Sequence, residues 1–345
     1  MATIKDIARE CQVSIATVSN VINGRNKAGA ETEKRVREAI EKLGYTPNSV
    51  AKGLRSKKTN TVGIIVEDLS QFTVPPIVES IMRFLEERHY QTVVHNLRLC
   101  SRYSDTWSGN EEMLIPVIDR AISDLKGRMV DGIIYVAVYS RNTELINADP
   151  GVPLIMTCAS DKNPYVPSVI IDDEGSVESA LVYLIEKGHR NIGIIGGYPD
   201  NLHTVRRLNG AKKALEKAGI TPSERLIRLN CLSKEDGCRA AYELSMEKIT
   251  ALFCMSDIIA AGVYKCLYEK GLTVGRDISV MGYDNHVIAD CLTPGLTTMA
   301  LPLNEIGSCA AALLLNCSSY SKPYLEGYQT RLPCELIERG SVALL

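Results

Sequence analysis

A short run at residues 13–25, VSIATVSNVINGR, has an outer face unlike that of an ordinary surface helix. Helical spacing puts Val18, Val21 and Ile22 on one apolar side, with Ser14 as the N-cap. The short side chains on the opposite, outer face of this helix can enter the major groove of DNA, about 12 Å wide, where they would meet thymine methyls and base edges. The alternative is a solvated helix without a role, and an apolar residue on the outer face argues against it. That outer face is small, only partly polar and uncharged: Ile15, Ala16, Thr17, Ser19 and Asn20.

The charge distribution favours a polyanion-binding module at the amino-terminal end. The chain of 345 residues has a formal net charge of −2. Residues 1–60 hold twelve Lys/Arg and six Asp/Glu, a net of +6, so the rest of the chain carries −8. A basic head on an acidic body predicts a nucleic-acid-binding module joined to a part with a different task, and the length allows two or three domains.

Three short helices must position the residues of the first motif. Thr3 can cap the first helix, Ser14 caps a second that ends at Gly24, and a third runs from about residue 31 to Gly44. The first two are separated by only a few residues. This arrangement predicts a helix-turn-helix headpiece.

From residue 62 onward, short β-branched runs alternate with amphipathic helical patterns. Continuous apolar strands between such helices predict parallel sheets covered on both faces. About 280 residues is large for one such sheet, so we expect an α/β core of two doubly wound lobes, with a ligand site in the cleft where strands end. The predicted strands lie at 62–66, 91–97, 131–138, 152–158, 168–172, 191–197, 249–255 and 277–284.

The eleven cysteines are scattered, without CxxC or Cys/His spacing. They predict reduced thiols and no metal site, and Cys158 and Cys254, in apolar runs, are interpreted as core residues. Charge interrupts the first ten residues at once, and no apolar run approaches the ~18 residues that cross a bilayer. We therefore expect a cytoplasmic protein without membrane association.

Together these features resemble the lactose-repressor/galactose-repressor (LacI/GalR) family of bacterial transcription regulators, over essentially the whole chain. The resemblance implies a headpiece at 1–46, a hinge helix and linker at 47–60, and a core at 61–345 like type I periplasmic binding proteins. It also implies an N-lobe of about 61–160 and 293–325 and a C-lobe of about 161–290 and 326–345. The residues that carry it are TIKDIARECQVSIATVSNVINGR (3–25), GYTPNSVAKGLRS (44–56), EKGHRNIGIIGG (186–197), RRLNGAKKALEKAGI (206–220), SDIIAAGV (256–263), DISVMGYDN (277–285) and LTTM (296–299).

By this resemblance the partner is double-stranded palindromic operator DNA, bound by a homodimer. Thr3, Tyr45 and basic residues would hold the DNA backbone, and Leu54 of each subunit would wedge into the minor groove and kink the site. The hinge is expected to become helical only on DNA, because isolated helices this short are marginal. The implied DNA-binding residues are Thr3, Ser14, Ile15, Ala16, Thr17, Ser19, Asn20, Asn23, Tyr45, Asn48, Ser49, Ala51, Lys52, Leu54 and Arg55.

Two positions of the headpiece depart from the family pattern. Many members carry arginine, which favours guanine, where this chain has Asn20, and asparagine pairs with adenine. We therefore expect the operator half-site to prefer A at that base pair. Gln12 stands where the turn usually has glycine, which costs about 1 kcal/mol if the backbone there is left-handed.

The resemblance also implies a small-molecule effector, sugar-like, bound between the lobes, and no metal or organic cofactor. An arginine with two carboxylates suits a hydroxyl-rich ligand, although either carboxylate could instead be a helix cap or a salt-bridge partner. The longer segment 96–113 places Trp107 either as a lid on the cleft or in a surface loop. The implied effector-binding residues are Phe72, Thr73, Cys158, His203, Arg207, Leu232, Ser256, Asp257, Asp284 and Leu303.

Two other classes of function compete with a regulator. An enzyme is disfavoured, because GIIGG at 193–197 lacks GxGxxG spacing and the chain contains no P-loop and no triad motif. We therefore expect no enzymatic activity, with a cofactor-free sugar enzyme as one alternative. The other is a cytosolic carbohydrate-binding module without operator binding, whose DNA affinity would depend little on salt. The carboxyl-terminal residues lack a leucine heptad, so a tetramer built on a coiled coil is not expected.

Overall fold

The chain divides into two units, Met1–Asn60 and Thr61–Leu345. The structure is a computed structural model, and it describes residues 2–22, 24, 27–45, 58–104, 107, 109–146, 151–317 and 327–345. Asn23 and the hinge residues Asn48, Ser49, Ala51, Lys52, Leu54 and Arg55 lie outside the described residues. Within the described residues, no helix is long and apolar enough to cross a membrane.

The first unit contains the three predicted helices around one small apolar cluster. They are α1 (Ile4–Glu10), α2 (Ile15–Ile22) and α3 (Ala30–Leu43). Ile7, Val18 and Val36 are fully buried at the centre of this cluster. Gly44, with φ +59°, terminates α3 in the left-handed conformation that glycine adopts without strain. Burial of one face of each helix leaves the opposite face of α2 outward.

The turn between α1 and α2 is strained at Gln12, whose φ of +49° lies in the left-handed region. A side chain with a Cβ is disfavoured there, whereas glycine is not. Changing Gln12 to Gly should therefore raise the stability of the headpiece by about 0.5–1 kcal/mol, after the entropy that glycine adds to the unfolded chain. Thermal unfolding monitored at headpiece amides by NMR would measure it, and Gln12→Ala should give no gain. A loss of stability in the glycine variant would contradict this account.

The second unit contains nine α-helices and fourteen strands among its described residues, with one 3-10 helix at Glu224–Leu226. The helices are α4 (Val74–Glu86), α5 (Leu99–Tyr103), α6 (Glu111–Gly127), α7 (Asp173–Glu186), α8 (Leu202–Lys217), α9 (Lys234–Leu244), α10 (Asp257–Glu269), α11 (Ile288–Cys291) and α12 (Leu303–Cys317). The strands are β1 (Thr61–Val66), β2 (Gln91–Asn96), β3 (Gly132–Val136), β4 (Asn142–Thr143), β5 (Leu154–Thr157), β6 (Ser160–Asp161), β7 (Ser168–Ile171), β8 (Ile192–Ile195), β9 (Ile227–Arg228), β10 (Ala251–Cys254), β11 (Ser279–Asp284), β12 (Thr297–Ala300), β13 (Gln329–Leu332) and β14 (Glu335–Ile337).

Two six-stranded sheets form the cores of two lobes. The N-lobe sheet has the order β13-β7-β5-β3-β1-β2, and all its strands are parallel. The C-lobe sheet has the order β14-β12-β11-β10-β8-β9, and only β14 is antiparallel to its neighbour. All eight predicted strands are present within these sheets. The buried runs of β1, β3, β8 and β10 agree with strands covered on both faces.

The expected lobe boundaries are wrong for three strands. The boundaries implied by the family resemblance assigned β7 and β13 to the C-lobe and β12 to the N-lobe, but β7 and β13 pair in the N-lobe sheet and β12 pairs with β11 in the C-lobe sheet. The chain therefore crosses between lobes after β7, after β12 and between β13 and β14. A short strand belongs to whichever sheet supplies its long-range partner, and local periodicity does not contain that information.

Close helix packing completes the C-lobe on both faces of its sheet. A Cβ at Gly262 of α10 would lie 1.9 Å from the carbonyl oxygen of Lys234 in α9. A Cβ at Gly210 of α8 would lie 2.2 Å from the carbonyl oxygen of Glu174 in α7. Glycine is required at both positions because the paired helix backbones touch. These pairs fix α8 and α10, whose first turns carry residues of the interlobe site.

Candidate functional site

The outer face of α2 has the accessibility that groove reading requires. Ser14, Ile15 and Ala16 are exposed, and Ile15 keeps 46% of its surface in solvent. Thr17, Ser19 and Asn20 are half-buried at the edge of this face. The hydroxyl of Ser14 accepts a hydrogen bond from the Thr17 amide at 3.0 Å, so it caps α2 as predicted.

Two residues predicted to hold the DNA backbone have partners within the headpiece. The amide and the hydroxyl of Thr3 donate to the carboxylate of Asp6 at 2.9 and 2.7 Å. These hydrogen bonds lower the pKa of Asp6. Tyr45 is half-buried and packs against the apolar cluster of the headpiece. A DNA phosphate would therefore compete with Asp6 for Thr3, while Tyr45 also serves the core.

In the second unit, a buried carboxylate organises two of the predicted effector residues. Asp173, at the start of α7, accepts from Arg207 Nε at 2.8 Å and lies 2.7 Å from His203 Nδ1. Arg207 also donates through Nη1 to the carbonyl oxygen of Met255 at 2.6 Å, and its guanidinium lies over the Tyr283 ring, 3.9 Å from the ring centroid. His203 and Arg207 are therefore brought together by a residue that was not predicted.

The charges of this group determine which member is ionised. Burial alone would raise the pKa of Asp173, but His203 and Arg207 outweigh burial and hold it well below its usual range. Burial opposes the charge on Arg207 as well, and Asp173 keeps its pKa above the usual value. Asp173 and Arg207 thus form a buried ion pair in which both members are charged at neutral pH.

Asp284, the last residue of β11, lies beside this ion pair without joining it. Its carboxylate is 3.9 Å from Arg207 Nη1, longer than a hydrogen bond, and its side chain is 12% exposed. Its φ of +109° is a conformation that L-residues rarely adopt. Burial raises the pKa of Asp284 to about 8, although Arg207 opposes the shift. A strained, nearly buried carboxylic acid is thus held at the carboxyl end of a strand.

Asp257 hydrogen-bonds to other parts of the protein. The sequence had left open that this carboxylate has such a structural role. The first residue of α10, it is fully buried and accepts from the Thr298 hydroxyl and from the His286 amide, each at 2.7 Å. Burial raises the pKa of its carboxyl to about 6 despite these hydrogen bonds. The preceding Ser256 is the N-cap of α10 and accepts from Ile259 N at 3.3 Å. Both residues hold the edge of the site, and the contacts they make are internal.

Contacts between the lobes close over this cluster, and we call those made by Ser140 the Ser140 latch. The Ser140 amide, after β3, donates to His203 Nε2 at 3.1 Å, and Arg206 donates to the Ser140 hydroxyl at 3.1 Å. A backbone amide can only donate, so Nε2 is the unprotonated nitrogen and Nδ1 carries the proton toward Asp173. Elsewhere across the cleft, the rings of Phe72 and His286 meet edge-on with centroids 5.0 Å apart.

Removal of the His203 ring should weaken the Ser140 latch, because it removes the acceptor of the Ser140 amide. In the variant His203→Ala the Ser140 amide loses its acceptor, so its hydrogen–deuterium exchange should accelerate about five- to tenfold, in keeping with one hydrogen bond of about 1 kcal/mol. Exchange at the peptide containing Ser140, followed by mass spectrometry, measures this. The control His95→Ala changes a histidine on β2 and should leave that exchange unaltered. Equal exchange in the wild-type protein and the His203 variant would contradict the latch.

The remaining predicted lining residues make less specific contacts. Cys158 is buried after β5, and burial raises the pKa of its thiol to about 12, so it is an inert core thiol, as is the buried Cys254. Thr73 precedes α4, and Leu303 begins α12 and packs against the N-lobe core. Leu232 is exposed and approaches Gly197. The described hydrogen bonds and ion pairs do not join these four lining residues to the Asp173 cluster, although the Asp173 charge contributes to the raised pKa of Cys158.

Trp107 is not in a surface loop. It is fully buried in the N-lobe, stacked on Tyr139 with ring centroids 5.5 Å apart, and the Arg141 guanidinium lies 5.4 Å from its ring centroid. Arg141 forms an ion pair with the buried Glu67, which also accepts from Tyr135 at 2.6 Å. Trp107 therefore supports the residues on either side of Ser140.

The two units match known proteins in their separate parts and in their order. The family model described as bacterial regulatory proteins, lacI family, matches residues 3–48, and that of a periplasmic binding protein-like domain matches residues 181–342. Catabolite control protein A of Priestia megaterium is 33% identical over 317 residues, covering 90% of this chain and 91% of that protein. This chain belongs to the lacI family. It is a DNA-binding transcriptional regulator.

Solved structures of lacI-family proteins share the whole fold. The Lac repressor dimer bound to operator and the anti-inducer ONPF has a TM-score of 0.79 and 26% identity, with 99% of each chain covered. The complex of the transcriptional regulator CelR with cellobiose has a TM-score of 0.65 and 28% identity, covering 99% of this chain and 100% of that one. The predicted fold class, a helix-turn-helix headpiece with a two-lobed α/β core, is confirmed.

In this lacI-family chain, the residues that sequence reasoning missed are those that hold others in place. Asp173 follows the end of β7 in the run IIDDEG, where an acid reads as a helix cap. Asp172 is indeed the N-cap of α7, and its neighbour Asp173 turns inward. Ser140 and Glu67 each follow the carboxyl end of a strand, which was the one available signal. Position after a strand identifies candidates but not their partners.

Proposed function

We propose that this regulator binds palindromic operator DNA as a homodimer and represses transcription until a small sugar-like effector binds between its lobes. The observation that carries this proposal is the exposed, uncharged face of α2 on a chain whose other unit encloses a buried charged cluster between two lobes. The Lac repressor dimer on its operator and the cellobiose complex of CelR support the same pairing of tasks. A cytoplasmic, nucleoid-associated regulator without enzymatic activity fits these relatives.

At the DNA, we assign base reading to the exposed part of α2. Ile15 and Ala16 would touch thymine methyls, and Thr17, Ser19 and Asn20 would bond to base edges or phosphates. Thr3 and Tyr45 would hold the backbone. The proposed contacts of Ser14, Asn23 and the hinge residues complete the interface by family resemblance.

At the effector, we assign binding to Arg207 and Asp284 with Phe72 and His203 around them. Asp173 is a positioning residue, because it orients both Arg207 and His203. A ligand between the lobes would make contacts on both sides of the cleft and change the strength of the Ser140 latch. Through the dimer, a shift in lobe closure would re-space the two DNA-binding halves.

A salt titration on a selected operator tests the proposal. Binding-site selection on randomised duplex DNA should recover a palindrome, and affinity for it should fall by about 10³-fold or more between 50 and 200 mM salt. Fluorescence anisotropy measures both this duplex and a scrambled control of equal length. Failure to recover any preferred duplex, or an affinity nearly independent of salt, would support the carbohydrate-binding alternative.

A further inference from the structure

The buried guanidinium of Arg207 already commits two of its five N–H donors, and its charge, to protein partners. Arg207 gives Nε to Asp173 at 2.8 Å and Nη1 to the Met255 carbonyl at 2.6 Å. Its charge is offset by Asp173, which is fully buried beside it. The pair is therefore close to neutral as a unit.

The carboxylate of Asp284 is not paired with a cation in the way that Asp173 is paired with Arg207. Within the part of the chain that the structure describes, the charged group nearest to the Asp284 carboxylate is Arg207 Nη1, at 3.9 Å, and no hydrogen bond to that carboxylate is seen. Asp257, the other acid within electrostatic reach, takes its hydrogen bonds from Thr298 and His286. Of the three carboxylates at the site, Asp284 is the one whose carboxylate oxygens accept no hydrogen bond among the described residues.

We infer that the effector carries a protonated amine, as an amino sugar or amino polyol does, and that this ammonium pairs with Asp284. An ammonium supplies three donors and the missing positive charge, whereas a hydroxyl supplies one donor and no charge. An ionised carboxylate that is 12% exposed gains more from a cation than the same group in water would. This inference rests on the proposed function, since it names the ligand of that same site.

Proton linkage gives the inference a distinctive signature. Burial raises the pKa of Asp284 to about 8. Of the charged groups that face it, Arg207 favours the ionised form, whereas Asp257 and Asp173 disfavour it. At pH 7 the carboxyl without a ligand is therefore mostly protonated. An ammonium ligand must displace that proton, so the affinity of an amine that is itself fully protonated should fall by up to about tenfold per pH unit below the pKa of Asp284. A neutral sugar displaces no proton.

Isothermal titration of the full-length protein with matched pairs of compounds tests this. The pairs are glucosamine with glucose, galactosamine with galactose, and 1-amino-1-deoxysorbitol with sorbitol, in phosphate and in HEPES, neither of which contains a primary amine. At least one amine should bind about tenfold or more tightly than its hydroxyl partner at pH 7, with a net release of most of one proton per site. That preference should shrink on acidification to pH 6.

The variant Asp284→Asn should lose both the preference and the proton release. Asparagine keeps the size of the side chain and tolerates positive φ better than most residues, which matters at +109°. The control Asp119→Asn removes an exposed acid of α6 and should retain both effects. If Asp284→Asn fails to fold, the pH series on the wild-type protein remains a sufficient test.

The outcomes separate the inference from the proposed function. The inference that the effector carries an ammonium group would be overturned if the neutral compounds bind as tightly as their amine partners, or if no compound of the panel binds. Operator affinity is measured by anisotropy on the selected duplex. If an amine binds with proton release but leaves this affinity unchanged, the inference of an ammonium group holds, and the proposal that the effector controls DNA binding is overturned. Amine binding that changes operator affinity would support both.

Discussion

Replacing Arg207 with methionine should lower the free energy of unfolding of the core by about 3–5 kcal/mol, because it leaves the buried Asp173 without its cation. The substitution keeps much of the side-chain volume, so the loss reports charge and hydrogen bonding more than packing. Both Nε and Nη1 bonds of Arg207 disappear with it. Urea unfolding followed by far-UV circular dichroism measures the change. The same variant should not respond to any effector.

The pH dependence of that loss identifies its cause. In the wild-type protein Asp173 has a depressed pKa, so its pairing stabilises the fold above the unfolded pKa, near 4, and that contribution is lost as pH falls through the folded pKa. Without Arg207, burial raises the pKa of Asp173, and protonation then relieves the penalty. The difference between wild type and variant should therefore shrink from pH 7 toward pH 4.

The neighbouring Arg206→Met provides a matched control. Arg206 is half-buried and donates to the Ser140 hydroxyl, so its loss should cost only about 1 kcal/mol. A loss in Arg206→Met as large as in Arg207→Met, or a difference that does not change with pH, would contradict the role given to Asp173.

The identity of residue 20 should decide one base pair of each operator half-site. With Asn20 we expect A at that pair, and Asn20→Ala should weaken binding to the selected duplex by about 1–3 kcal/mol, or about five- to 150-fold. Asn20→Arg should transfer the preference to G. Binding-site selection repeated with each variant, followed by anisotropy on duplexes differing at that pair, measures the effect.

The same duplexes supply the control for residue 20. The exposed Lys5→Ala lies on α1, away from the outward face of α2, and should weaken binding to all duplexes about equally or not at all. Recovery of guanine with the wild-type protein, unaltered in Asn20→Ala, would show that Asn20 does not read that base.

The headpiece could be predicted in detail because its structure is local. Capping residues, a 3.6-residue apolar period and a terminal glycine specify each helix from within a dozen residues, and Ser14, Val18 and Gly44 behave as their positions predict. The strained turn at Gln12 was expected as well, because family members usually have glycine at that position. In the core, the apolar runs predicted the strands, because a strand covered on both faces is apolar throughout.

The lobe assignments failed for three short strands, because the residues within each strand do not specify which sheet it joins. β7, β12 and β13 have four residues each, and only pairing across more than a hundred residues places β13 beside β7. Trp107 failed as a lid or loop residue for a similar reason, since Tyr139 and Arg141 bury it from another element.

The amino-acid pattern alone determined that this protein has a helix-turn-helix headpiece and an α/β core in two lobes, because helix periods, caps and apolar runs are properties of neighbouring residues. The family resemblance added an arginine and carboxylates as candidate site residues. Only the tertiary structure decided which of those charges are free. Asp173 occupies Arg207, Thr298 and His286 occupy Asp257, and Asp284 is left with its acceptor atoms uncommitted. Ionisation and hydrogen bonding depend on burial and on partners far away in the chain, and these exist only once the lobes are folded.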